Sequence, residues 1–145
     1  MVRVKHRYIL VQIKYDNRPK DDAPKVTSKS LSVYLRKQVS KYYGNYGAAT
    51  VQRLLVMYFN AKTHLCIIRT RHGPHRFVTS VLPLLTQMDE HVFRFRTLYV
   101  GATVQQCQKF VVKYQQRYIN RTIGYYQGME QKQKMIENVT AMVRQ

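Results

Sequence analysis

Acidic residues are what this sequence has least of. Seven Asp and Glu stand against 25 Lys and Arg in 145 residues, a formal net charge of +18. None of the acids lies between Asp22 and Asp89, and none between Glu90 and Glu130. A soluble surface normally intersperses both signs. One this basic repels itself unless a polyanion neutralises it, and the usual polyanions are nucleic acid and anionic membrane. Long apolar runs are also missing. The longest, Leu54 to Phe59, falls far short of the roughly 20 residues that span a bilayer, so no membrane partner is expected. Residues Met1 to Tyr8 carry charge but no apolar stretch behind it and no small-residue cleavage site, so no secretory signal is expected. An Arg-rich, acid-poor start suits a mitochondrial presequence, yet its charges alternate with period two, as in a strand, instead of winding as an amphipathic helix. Cysteine is scarce too. Cys66 falls in an apolar strand and Cys107 on a helix's apolar stripe, the pattern of buried free thiols in a reducing compartment. The sequons at Asn120 and Asn138 then have no glycosylation context.

What is present is a foldable chain. Hydrophobic residues make up 45% of it, enough for a core, and the length suits one compact domain. Val2 to Ile13 alternates and is rich in β-branched residues, which predicts a strand. Asp16 to Pro24 reads as a loop. Ser28 is placed to cap a helix reaching Tyr43, with Leu31, Leu35, Val39 and Tyr42 as its apolar stripe and Arg36, Lys37 and Lys41 facing out; Gly44 to Gly47 ends it. Val51–Asn60 and His64–Arg71 form an antiparallel hairpin. A second helix opens at Pro74 and carries Phe77, Val81, Leu84, Leu85 and Met88, with a kink or break at Pro83. Phe93–Val100 is a fourth strand. Thr103 and Gln106 have capping-box spacing at the start of a third helix whose stripe is Val104, Cys107, Val111, Tyr114 and Tyr118. Gly124 and Gly128 loosen the chain before a last helix from Glu130 to Val143. The order strand, helix, strand, strand, helix, strand, then extra helices predicts an α+β, ferredoxin-like split βαβ sandwich, with helices on one face of an antiparallel sheet and the other face left for a partner.

Several chemistries lack their parts. There is no converging carboxylate cluster of the kind a two-metal nuclease needs: Asp21 and Asp22 sit in a loop, and Asp89 and Glu90 at a helix end. His64, Cys66, His72 and His75 match no zinc spacing, so no metal ligand is assigned. No Gly-rich phosphate loop, nucleophile elbow or Gly-Phe-rich ribonucleoprotein signature occurs. Paired histidines His72 and His75 beside Arg71 leave open a metal-free ribonuclease. The positive candidates are cations. Alternation puts Arg3, Lys5 and Arg7 on one face of the first strand, aligns Arg69 with Arg71 in the third and Arg94 with Arg96 in the fourth, and so predicts a basic band that exchanges counterions for phosphates. Tyr8, Tyr58, Phe93, Phe95 and Tyr99 could stack bases, but core packing is the simpler use for them, so phosphate and shape reading are expected over base-by-base reading. Gly101 and Thr103 at a helix start make a possible phosphate site, although ordinary capping explains Thr103 equally well.

The opening Met1 to Leu10, the Tyr46-Gly-Ala-Ala segment, Phe59-Asn-Ala-Lys-Thr, Val81-Leu-Pro-Leu-Leu-Thr and, most specifically, Leu98-Tyr-Val-Gly-Ala-Thr followed by Cys107-Gln-Lys-Phe and Tyr114 resemble one family, in order from residue 1 to 118. It is the small "processing of precursors, fifth" protein family of ribonuclease P and RNase MRP. The resemblance implies an RNA-binding domain over residues 1–118 with a helical extension over 119–145. It implies a particle whose RNA is catalytic, removing the 5′ leader of precursor tRNA in ribonuclease P and acting on precursor rRNA in RNase MRP. It further implies as partners ribonuclease P RNA and MRP RNA, a TIM-barrel subunit of about thirty kilodaltons and other particle subunits, with precursor tRNA nearby. Mg2+ is expected for the RNA, and no cofactor for the chain itself. The expected location is the nucleus and nucleolus, and no catalytic residue is carried over. The chain departs from some relatives in ending basic and amphipathic, without an acidic tail. Composition alone leaves a structural subunit of another ribonucleoprotein, such as the ribosome, as the alternative.

Overall fold

The computed structural model describes residues 3–15, 26–60, 63–88, 91–122 and 129–144, without the side chains of 129–132. The elements run β1 (His6–Tyr15), α1 (Ser28–Thr50), β2 (Leu55–Asn60), β3 (Leu65–Arg71), α2 (His75–Val81), β4 (Gln87–Met88), β5 (His91–Gly101), α3 (Val104–Thr122) and α4 (Met129–Arg144). The strands form one 5-stranded sheet in the order β2-β3-β1-β5-β4, antiparallel at every pairing. β3 separates β1 from β2, the split βαβ arrangement of the ferredoxin-like fold read from the sequence. The expected loop Asp16–Pro24, the acids Asp21, Asp22, Asp89 and Glu90, and Gly124 and Gly128 lie outside the described residues.

Local chemistry moves several boundaries. Thr27, not Ser28, caps α1: its hydroxyl accepts from the Ser30 amide at 3.2 Å, and Ser30 Oγ accepts from the Thr27 amide at 3.1 Å. Gly44 does not end the helix but kinks it, adopting φ 66° at no steric cost, and helix resumes to Thr50. Val51 and Leu54 are consequently a buried turn and not the start of β2. Arg36 does not face out; its Nε donates to Leu54 O at 3.2 Å and ties α1 to that turn. Pro83 breaks the second helix, which tightens into a 3-10 turn over Leu82–Leu84 and leaves Leu84 exposed, while Met88 enters the two-residue edge strand β4.

α1 and α2 cover one sheet face. Ile9, Val11 and Ile13 of β1, Cys66 and Ile68 of β3, and Phe93 and Phe95 of β5 meet Leu31, Leu35, Val39, Val78 and Val81 there, all buried. The opposite face is not left bare. Cys107 and Val111 of α3 settle on Leu10, Leu65 and Ile67, with Tyr8, Tyr58, Leu98, Tyr99 and Phe110 around them and Val143 of α4 alongside. That apolar patch is too large to leave in water beside a helix whose own stripe needs burial. α4 is fastened by Asn60 Nδ2, which donates to Met142 O at 3.0 Å.

Candidate nucleic-acid interface

Register assigns each cation to a face, because directly opposed residues of an antiparallel pair point the same way. Arg69 lies opposite Tyr8 and Arg71 opposite His6, in phase with Ile67 and Leu65 on the α3 side. Arg94 lies opposite Lys14 and Arg96 opposite Gln12, on the same α3 side. These two groups sit at opposite ends of that face. Arg69 and Arg96 are separated by four positions along β1, about 13 Å of strand rise. α3 crosses between them. Its Cys107 Sγ contacts Tyr8 O at 3.5 Å, and its Tyr114 hydroxyl donates to Gln12 Oε1 at 3.3 Å. Lys14, Arg71, Arg94 and Arg96 are exposed, and Arg69 is half-buried with Nε lacking a hydrogen-bond partner among the described residues. Such an unpaired charged donor is costly to keep away from an acceptor.

The band read from the sequence is therefore only partly assembled. Arg7 is in phase with Ile9 and pairs with Thr70, which puts it on the α1 side, away from Arg69 and Arg71. Arg3 and Lys5 precede β1 altogether. Lys14 joins this face because β1 continues to Tyr15, beyond the end at Ile13 expected from the sequence. A second basic feature lies outside the band expected from the sequence: Lys109, Lys113, Arg117 and Arg121 recur every four residues on α3, all exposed. Spacing alone marks that stripe, and like charges one turn apart weaken a helix.

The other candidates have internal roles. Phe93 and Phe95 are buried in the α1-side core, and Tyr99 stacks on Phe110 with centroids 4.9 Å apart and planes at 8°, so these aromatics pack the protein. At the start of α3, Thr103 Oγ1 accepts from the Gln106 amide at 3.2 Å, and Gln106 Oε1 accepts from the Ala102 amide at 3.0 Å. Gly101 is buried so closely that a Cβ would lie 2.8 Å from Tyr99 Cε1. The Ala102 and Gln106 amides at this helix start are thus engaged by the chain's own side chains and not open to an anion. Cys66 and Cys107 are free and buried, and burial pushes the Cys66 thiol up to about 12. His64 and His75 are not joined into any group of three possible metal ligands among the described residues.

The sequence profile of the Rpp14/Pop5 family matches residues 7–112, from Arg7 at the start of β1 to the middle of α3. The chain belongs to the Rpp14/Pop5 family. It is 34% identical over 124 residues to "Ribonuclease P/MRP protein subunit POP5" of Bos taurus, covering 81% of this chain and 71% of that protein. The human protein of the same name is 34% identical over 122 residues, covering 81% and 74%. An archaeal relative, "Ribonuclease P protein component 2" of Methanosphaerula palustris, is 26% identical over 108 residues, covering 74% and 62%. Among solved structures, a chain of the yeast ribonuclease MRP cryo-EM structure superposes with a TM-score of 0.53 at 17% identity, covering 71% of this chain and 78% of that one, a likeness of fold. For a member of the Rpp14/Pop5 family, the profile encloses Arg69, Arg71, Arg94 and Arg96, whereas Arg117, Arg121 and all of α4 lie beyond it.

Proposed function

We propose that this chain is a non-catalytic protein subunit of a ribonuclease P or RNase MRP particle, and that its α3-side sheet face holds the phosphate backbone of the particle's RNA. Family membership supports the subunit role. One observation carries the RNA contact: Arg69 and Arg71 at one end of that face and Lys14, Arg94 and Arg96 at the other, on strands that contain no acidic residue. Lys14 and Arg94 stand directly opposite each other in the β1–β5 pairing, which brings two cations to one place on that face. Phosphate contacts of this kind position an RNA without reading its bases. Mg2+ belongs to the RNA in this reading and not to the chain. A TIM-barrel subunit, other particle proteins, precursor tRNA nearby, and a nuclear and nucleolar setting complete the proposal. It predicts no specific cleavage of precursor tRNA by the purified chain. The test is recovery of the tagged chain from cells with sequencing of the bound RNA. Ribonuclease P or MRP RNA is the expected catch, while ribosomal RNA alone, or no RNA, overturns the assignment.

A further inference from the structure

The turn between β3 and α2 gathers basic side chains from three segments. Its His72 amide donates to Lys5 O at 2.8 Å, which fastens the turn to the residues leading into β1. Gly73 reverses the chain at φ 102°, and its amide donates to His75 Nδ1 at 3.0 Å. That closure stacks the His72 and His75 rings, with centroids 5.4 Å apart and planes at 17°. Arg7 of β1 and Arg76 of α2 complete the group, and Arg71 immediately precedes it, exposed. Burial, then the charges of His72, Arg7 and Arg76, hold the His75 imidazole below its ordinary 6.5. Side chains that repel one another in this way are stable together when an anion sits among them.

The same geometry argues against cleavage. General acid–base hydrolysis needs one imidazole on each side of the reacting phosphorus, each with a ring nitrogen free to take or give a proton. Here the rings lie face to face, and Nδ1 of His75 is occupied by the Gly73 amide. We propose that the β3–α2 turn is a phosphate-binding site, formed by Arg7, His72, His75 and Arg76, that holds one phosphate group of an RNA backbone. The choice of RNA as the source rests on the function proposed above; the phosphate chemistry does not. Because Nδ1 accepts, neutral His75 carries its proton on Nε2. A proton taken from solvent onto Nδ1 turns an acceptor into a donor and frees the Gly73 N–H, so two donors become available to phosphate oxygen. Binding and proton uptake are therefore linked.

Imidazole resonances of the full chain, followed by NMR through a pH titration in chloride buffer, report this directly. The titration is repeated with inorganic phosphate and with a short RNA duplex. The His75 midpoint is expected to rise by about half a pH unit with RNA, equivalent to about threefold tighter RNA binding on the acid side. Arg76→Gln, an exposed position, should reduce the rise, and His75→Gln should remove the pH dependence of RNA affinity while leaving RNA bound. RNA binding with the His75 midpoint unmoved overturns the site. No RNA binding at any pH, with a response to inorganic phosphate, upholds the phosphate site and overturns RNA as its ligand together with the function proposed above. No response to either probe overturns both.

Discussion

On the α1 side of the sheet, Ile9, Val11, Ile13, Ile68 and Phe93 meet two helices in a continuous buried core. On the α3 side, the buried residues Leu10, Leu65 and Ile67 meet Cys107 and Val111 with Tyr8, Tyr58 and Tyr99 around them, and Lys14, Arg69, Arg71, Arg94 and Arg96 share the same face. One sheet thus divides its labour by face. The first face carries most of the hydrophobic stabilisation, which scales with apolar area removed from water. The second combines a smaller buried cluster, which seats α3, with the cations to which the proposed function assigns the RNA.

That contrast is broken or sharpened by a series of measurements, of which the largest effect is in stability. Ile68→Ala, at a fully buried α1-side position, should cost about 2–5 kcal/mol in urea unfolding, whereas Met57→Ala, at a position 45% exposed, should stay within about 1 kcal/mol. Equal losses would mean that the faces share the load. Next is the charge. Replacing Arg69 and Arg71 by Gln should lower the slope of log RNA affinity against log salt by about 1.5 units with little change in RNA preference, and Lys14→Gln by about half as much. The same exchange at Lys37 and Lys41, exposed on α1, should do less. A larger effect there would move the RNA to the α1 side.

Two smaller effects concern the margins of each face. His75 and His64 both titrate below 6.5 in the folded chain, so the unfolded chain binds protons first as pH falls. Stability is then full above pH 6.5 and declines as pH drops below it, in the direction linkage requires. Urea midpoints at pH 7.5 and 5 should show the decline, and His75→Gln should shrink it; a midpoint that rises on acidification contradicts the assignment. Last, Asn60→Ala removes the bond to Met142 O. The expected loss is about 0.5–1.5 kcal/mol, seen as faster amide exchange in α4 with β1 and β3 unchanged. Equal acceleration in β1 would show that α4 is integral to the core.

Element order, the antiparallel hairpin and the apolar stripes Leu31-Leu35-Val39 and Cys107-Val111 were legible in the sequence, because periods of 3.6 and 2 are written in the residues themselves. So was the large excess of positive charge, since charge is additive along the chain. Which cations share a face was not. Register shifts fall between Leu10 and Val11 in the β1–β5 pairing and between Val56 and Tyr58 in the β2–β3 pairing. Each bulge adds a residue and reverses the alternation beyond it, which is how Phe93 and Phe95 come to face α1 while Tyr99 faces α3. The place of Arg7 opposite the face of Arg69 and Arg71, the use of Lys14, and the stacking of His72 on His75 depend on pairing between distant segments. Local sequence determined the elements and their charge; only tertiary pairing decided which charges meet, because side-chain direction in a sheet is fixed by register and not by residue type.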